Sequence, residues 1–246
     1  MSFVIGTNSV LEALRAHVRV RRIVLMDGGH PEEEILAESN IQQIPIERIS
    51  AGEFRRRHGT KAQGVAALLD AKPTLDPGTL LATLEPLPAN IVLLLDQIQD
   101  PQNLGALFRT AEAAGIWGVI LSRHKTAPLS AAVFKTSAGA LSHLRVCIAP
   151  SLGYVINQLK KMGFWIVGTD AQGGQDLYSG NLTFPLALIV GSEGWGVRPL
   201  LLDQCDFLIK IPMMGKVSSL NVSVATGIAL YEIRRQQKQA GLLNVA

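Results

Sequence analysis

Cysteine is scarce. Cys147 and Cys205 are the only two in 246 residues, and they form no C-x-x-C pair. That excludes a disulfide framework and suits a reducing cytoplasm, the location expected for the chain. Long apolar runs are missing as well. The longest, such as Ile91–Leu95, fall far short of a bilayer-spanning length, so no membrane partner is expected. The opening MSFVIGTNSVLEAL has neither a basic n-region nor a long apolar core, so it does not read as a signal peptide. No G-x-G-x-x-G occurs, which removes the best signal of a nicotinamide site. The five histidines show no H-x-x-x-H or similar pairing, and no metal-ligand cluster is expected. Strong charge is lacking too. A net charge of +3 with a pI near 9.0 permits an RNA partner without demanding one.

What is present suffices for a full core, since 48% of residues are hydrophobic and 17% charged. The length allows one large domain or two small ones. The run Asp70–Pro88 holds Pro73, Pro77, Pro86 and Pro88 and reads as a linker, with a short turn of helix at Thr79–Leu84. The expected organisation is a first domain at 1–72, a proline-rich linker at 73–88 and a second domain at 89–246.

Before the linker lies a small α/β unit. Ser9-x-x-Glu12 reads as a capping box. Strands are expected at Ile23–Met26, Ile44–Ile46 and Val65–Leu69, and helices at Pro31–Glu38 and Ala51–His58. After the linker, strands and helices alternate. Strands fit Ile91–Leu95, Gly118–Leu121, Arg145–Ala149, Trp165–Gly168, Leu186–Val190 and Phe207–Ile211. Helices fit Leu104–Ala114, Ser130–Ser137, Leu152–Met162, Arg198–Asp203 and Asn221–Gln239. Short apolar runs spaced by helices imply a parallel sheet covered on both faces.

Three polar clusters follow apolar runs and would meet at one edge of such a sheet, where α/β proteins bind ligands. In DPQNLGALFR, Asn103 could cap a helix and Arg109 could be a solvated cation. The helix is otherwise apolar and small, and a lone cation near its start opposes the macrodipole, which favours an anionic partner. In GSEGWG, three glycines mean a close approach of ligand to backbone or simply a tight turn with a helix-initiating Glu193. In IPMMGKVSSLN, Ser219 or Asn221 could cap the final helix, and Met213 could pad a flat ligand or fill core. Two basic patches remain: Arg19, Arg21 and Arg22, then Arg55, Arg56 and Arg57. They are either a solvated face or a phosphate-binding surface, three consecutive arginines being costly without an anion nearby. Residues 1–72 hold ten Lys/Arg against nine Asp/Glu, so any positive field is local.

Together the clusters resemble the signature motifs of the SpoU (TrmH) family of RNA ribose methyltransferases. The matches are N-x-G-x-x-x-R at Asn103, Gly105 and Arg109, G-S-E-G-x-G at Gly191 to Gly196, and I-P-M…S-L-N-V-S-V-A at Ile211 to Ala225. The start FVIGTNSVLEAL looks like the front domain of the branch that methylates a guanosine 2′-hydroxyl in large-subunit (23S) ribosomal RNA. The resemblance implies a SPOUT-type, trefoil-knotted, parallel-sheet α/β domain. It would be preceded by a small α/β RNA-binding domain like ribosomal proteins L30e and L7Ae. It also implies a homodimer, ribosomal RNA as partner and S-adenosylmethionine as cofactor, with no metal. The implied catalytic set is Arg109, Asn103, Glu193, Ser219 and Asn221, in which Asn103 and Glu193 would hold Arg109 and the hydroxyl in place and Ser219 and Asn221 would orient the same centre. The implied cofactor contacts are Thr169, Gly191, Ile211, Met213 and Leu220. Arg109 would act either as a base or, since a guanidinium stays protonated, as a grip on phosphate that stabilises developing charge. The rival readings are a transfer-RNA methyltransferase of the same family, a non-catalytic RNA-binding assembly protein, and a small-molecule oxidoreductase.

Overall fold

The apolar runs Val65–Leu69, Ile91–Leu95 and Leu186–Val190 are strands over the residues expected. Two of them are buried at every position, as central strands covered on both faces must be. The computed structural model describes residues 2–15, 20–29, 33–69, 74–170 and 173–243. The chain forms two compact units, one of Met1–Pro73 with Pro128–His143, the other of Thr74–Ala127 with Leu144–Ala246.

The first unit begins β1 (Ser2–Ile5), α1 (Thr7–Arg15), β2 (Val20–Met26), α2 (Glu33–Ile41), β3 (Ile46–Ile49), α3 (Ala51–His58) and β4 (Val65–Leu69). Its sheet runs β1-β4-β2-β3, with β4 antiparallel to both neighbours and β2 parallel to β3. Val24, Ile49, Phe54, Ala62 and Ala66 form one core cluster. Two expectations are corrected. Helix α1 starts at Thr7, so Ser9 is buried inside it and Glu12 pairs with Arg15 and His143 instead of closing a capping box. The strand placed at Ile44–Ile46 begins only at Ile46, because Pro45 has no backbone donor for the ladder. Pro31 and Glu32, placed in a helix by the sequence, lie outside the described residues.

The second unit opens with α4 (Pro77–Ala82), β5 (Ile91–Leu95), α5 (Pro101–Ala113) and β6 (Gly118–Ser122). The chain then contributes α6 (Ala131–Thr136) to the first unit. There a Cβ on Gly139 would stand 2.1 Å from the Cβ of Glu12. Val133, Phe134 and Leu141 of this segment are buried. The second unit resumes with β7 (Val146–Ala149), α7 (Leu152–Lys161), β8 (Trp165–Thr169), β9 (Gln175–Asp176), β10 (Leu186–Val190), α8 (Pro199–Leu202), β11 (Phe207–Lys210) and α9 (Val222–Gln239). Its sheet is seven-stranded and parallel throughout, in the order β7-β6-β5-β10-β8-β11-β9. Strand β9, only two residues long, has no sequence signal. Of the proline-rich run, residues 70–73 lie outside the described residues. Residues from Leu75 onward join the second unit: Leu80 and Leu84 pack in one core cluster with Leu152, Val155, Ile156 and Phe164. Among the described residues no helix is long and apolar enough to cross a membrane.

Candidate functional site

Within the second unit, parallel register puts the carboxyl ends of β5, β10, β8 and β11 at one edge. Leu95 pairs with Val190, Gly168 with Ile189, and Thr169 with Ile209. The residue after each strand therefore faces the same crevice side. Asp96 follows β5, Gly191 follows β10 and Ile211 follows β11. This is the position where open α/β sheets bind ligands.

Helix α5 starts earlier than the sequence suggested. Asp100 is its N-cap, accepting from the backbone N–H groups of Gln102 and Asn103 at 3.2 and 3.0 Å, and Pro101 fills the first helical position. Asn103 is thereby released from capping, and its side chain, 8% exposed, is free for other work. Its Nδ2 donates to Glu193 Oε2 at 2.8 Å, and its Oδ1 accepts from Asn221 Nδ2 at 2.8 Å. Asn221 does cap α9, its Oδ1 accepting from the N–H of Ser223 at 3.0 Å and from Ser223 Oγ at 2.6 Å. The result is a directional relay from Ser223 through Asn221 and Asn103 to the Glu193 carboxylate. Such chains polarise each bond in the same sense. Glu193 Oε1 is left without a protein partner among the described residues. The three sequence clusters thus meet through one member each.

Arg109 does not join them. It lies six residues after Asn103, about 9 Å along the helix and roughly two-thirds of a turn round it. It is exposed and, among the described residues, makes no hydrogen bond or ion pair. Where Asn103 and Glu193 were expected to hold Arg109, they hold each other, and among the described residues Arg109 hydrogen-bonds to neither. Ser219 is exposed and makes no hydrogen bond to the relay among the described residues.

The loop carrying Glu193 is stiff. Ser192 and Gly196 exchange both backbone hydrogen bonds, at 3.1 and 2.9 Å. Gly191 has no room for a side chain, since a Cβ would meet the Gly196 carbonyl carbon at 1.9 Å. The far end of the loop is clamped by a pair the sequence reading did not identify. Arg198 donates from Nε to both oxygens of Asp96, at 3.0 and 2.9 Å, and from Nη2 at 2.8 Å, while its backbone N–H adds a bond at 3.2 Å. The Asp96 carboxylate is 1% exposed and the arginine side chain 47%. The signal was an acid directly after a fully apolar strand, a place where a buried charge requires a partner.

Of the residues expected at a cofactor, Thr169, Gly191 and Ile211 stand at this edge. Thr169 ends β8, donating from Oγ1 to the Ile189 carbonyl at 3.2 Å. Ile211, Met213 and Leu220 are half-buried. Among the described residues the run Ile211–Leu220 makes no backbone–backbone hydrogen bond. Its peptide groups are available to a flat ligand that needs donors, acceptors and apolar cover together, which fits a purine-bearing cofactor.

In the first unit the basic patches are partly neutralised. Arg22 pairs with Glu47 at 3.0 Å, and Arg57 pairs with Glu47 at 3.5 Å and with Glu53. The anion inferred for the consecutive arginines is thus supplied in part by the protein itself. Arg55 and Arg56 are exposed and make no such pair among the described residues, Arg21 is exposed, and Arg19 lies outside the described residues. His58 packs against Phe3 and Phe54 at centroid distances of 4.7 and 5.0 Å. Burial first, and then the charge of Arg57, hold its pKa below the ordinary histidine value.

Comparison with known proteins places the chain by family. Residues 90–231 match the SpoU rRNA Methylase family, and residues 3–75 match the family described as RNA 2'-O ribose methyltransferase substrate binding. A protein of Bacillus subtilis (strain 168), assigned by name to the TrmH family of tRNA/rRNA methyltransferases, is 34% identical over 242 residues, 97% of each chain. An AdoMet-bound rRNA methyltransferase from Sinorhizobium meliloti superposes with a TM-score of 0.80 at 25% identity, over 95% of this chain and 87% of that one. A TrmH/SpoU tRNA-modifying enzyme of A. aeolicus, 31% identical, gives a TM-score of 0.55 and covers 68% of this chain and 84% of its own.

Proposed function

The chain belongs to the SpoU rRNA methylase family, and from that premise we propose that it methylates the 2′-hydroxyl of a guanosine ribose in large-subunit (23S) ribosomal RNA. S-adenosylmethionine is the methyl donor. The observation that carries the reading is the relay ending on Glu193, whose member Asn221 directly follows the run Ile211–Leu220 that makes no backbone–backbone hydrogen bond among the described residues. The ribosomal choice is supported by extent. Likeness to the ribosomal-RNA enzyme spans 95% of this chain, whereas likeness to the transfer-RNA enzyme spans 68%.

When bound, the cofactor supplies a methyl group already activated by a sulfonium, so the protein's task is to orient the alcohol and stabilise the charge that develops on it. Thr169, Gly191, Ile211, Met213 and Leu220 hold the donor. Glu193, fixed by Asn103, accepts the ribose hydroxyl hydrogen bond at Oε1, and Ser219 and Asn221 orient the sugar. Arg109, without a side-chain partner among the described residues, grips a substrate phosphate and offsets negative charge at O2′. Arg21, Arg55 and Arg56 provide phosphate contacts from the front unit, with Arg19 beside them in sequence and Arg22 and Arg57 shared with Glu47. The protein acts in the cytoplasm as a homodimer, a reading supported by exposed Val224 and Tyr231 on α9. The stretch from Ile211 into α9 forms the trefoil knot, and the front unit is of the L30e/L7Ae type.

The test uses ribosomal and transfer RNA from a strain lacking the protein, incubated with labelled S-adenosylmethionine and mapped for ribose methylation. One labelled guanosine in 23S RNA is expected. Label in transfer RNA would favour the rival member of the family, and no label in either would end the enzyme reading.

A further inference from the structure

Two of the three tryptophans have partners. The Arg145 guanidinium lies 5.0 Å over the ring of Trp117, and Trp165 packs with Phe184 and Phe207 at 5.5 and 5.3 Å. Trp195 has no ring or cation partner among the described residues and is 91% exposed. An indole so fully in water is ordinarily found on mobile chain, yet this one has a stiff mount. It sits between Gly194 and Gly196, both at positive φ (88° and 68°), inside the turn closed by the mutual Ser192–Gly196 hydrogen bonds. Conformations of that kind suit glycine and fix the course of the tip. Behind the turn, Arg198 is held by Asp96. Glu193, two residues before the ring, is held by Asn103. The Cα atoms of Glu193 and Trp195 lie within about 7 Å of each other, because two peptide units reach no further.

We propose that Trp195 is a stacking platform for a nucleobase of the RNA substrate, at or next to the nucleotide whose ribose is methylated. The inference rests on the methyltransferase reading of the same site. A ribose placed at the Glu193 relay brings its own base and its neighbours on the strand within reach of a ring mounted so close. Every base has a π-face, and proteins that read single-stranded or splayed RNA stack it on aromatic side chains. Trp195 is then a residue of substrate choice, separate from the groups that hold the cofactor.

The test compares Trp195→Ala and Trp195→Phe with the unaltered full-length protein. Measurements are steady-state kinetics on ribosomal RNA from a strain lacking the protein, calorimetry with S-adenosylmethionine, light scattering, and tryptophan emission on titration with that RNA. Alanine should raise the KM for RNA by roughly 5- to 150-fold, the range that loss of one stacked base implies. Phenylalanine should restore most of that loss, with kcat, cofactor affinity and oligomeric state unchanged in both variants. RNA should quench the emission of the unaltered protein, and the quenching should be lost with phenylalanine at 195. An unchanged KM with alanine would overturn the proposal. So would a shift in cofactor affinity or in self-association, which would assign the ring to the donor or to a second copy of the chain. If the unaltered protein methylates no RNA, the parent reading fails, and the emission titration alone still decides whether Trp195 stacks.

Discussion

At the scale of single residues, the most separable roles belong to groups with no structural duty. The Arg109 side chain is exposed and makes no hydrogen bond or ion pair among the described residues, so Arg109→Ala removes none there. Methyl transfer should fall by at least two orders of magnitude, as for the loss of a group that stabilises developing charge. The melting temperature and calorimetric affinity for S-adenosylmethionine should stay as they were, and a variant that turns over normally would return Arg109 to the solvated face. The cysteines are the opposite case. Burial first, and then the charge of Asp76, push the Cys147 thiol up to about 11. Burial, with Asp206 adding to it, pushes Cys205 to about 12, from an ordinary value of 9.0. At pH 8 only about one molecule in a thousand or fewer carries either thiolate. A disulfide reagent should therefore react slowly with the folded protein and at once after unfolding. The sign for stability follows. Both folded pKa values are raised, so the contribution is complete below about pH 9 and is lost as pH climbs towards 11 and 12. Unfolding midpoints in denaturant, measured across that range, should decline most steeply there.

Among structural elements, the stiff loop after β10 depends on one buried carboxylate. Asp96 is almost wholly enclosed and Arg198 is half in water, so the two halves of the pair are unequal. Arg198→Met strands a buried charge and should cost about 3–5 kcal/mol, lowering the melting temperature by on the order of 10 °C. Asp96→Asn leaves an arginine that water can reach and should cost only about 1–2 kcal/mol. Equal losses for the two changes, in matched denaturant curves, would show that burial does not set the asymmetry. The elements themselves were legible to different degrees for reasons of the same kind. Strands Val65–Leu69, Ile91–Leu95 and Leu186–Val190 were read correctly because each is an unbroken apolar run. Strand β1 lies within a stretch that reads as the lead-in to a helix, and two-residue β9 has no periodicity to detect. The three clusters were found from the sequence because glycines, amides and an acid after buried strands are chemically out of place. Which atoms touch was not legible. Asn103 could be assigned to the relay only once Asp100 was seen to cap α5, and Arg109 could be separated from it only once Asn103 was seen to bond Glu193 and Asn221.

For the molecule as a whole, what the sequence hid is discontinuity. Composition marks a boundary near the prolines, but nothing in the composition of residues 128–143 assigns them to the first unit, because membership there rests on contacts distant in sequence. A chain shortened to begin at Thr74 keeps that segment while losing the rest of its unit. Val133, Phe134 and Leu141, all buried in the intact protein, should then be uncovered. The shortened chain should bind a hydrophobic dye and aggregate on concentration. Replacing residues 128–143 by a short Gly/Ser connection should relieve both. If the shortened chain is already monodisperse and dye-free, the segment is not held by the first unit.

That same discontinuity sets an order of events during synthesis. The first unit is not complete when residue 73 leaves the ribosome. It must wait for Pro128–His143, and at about 5–20 residues per second the delay is several seconds. Over that interval β5, α5 and β6 of the second unit emerge while Glu12 still lacks His143 and α1 has not met the turn at Gly139. A front region that binds RNA would therefore acquire its finished surface only after half the chain has been made.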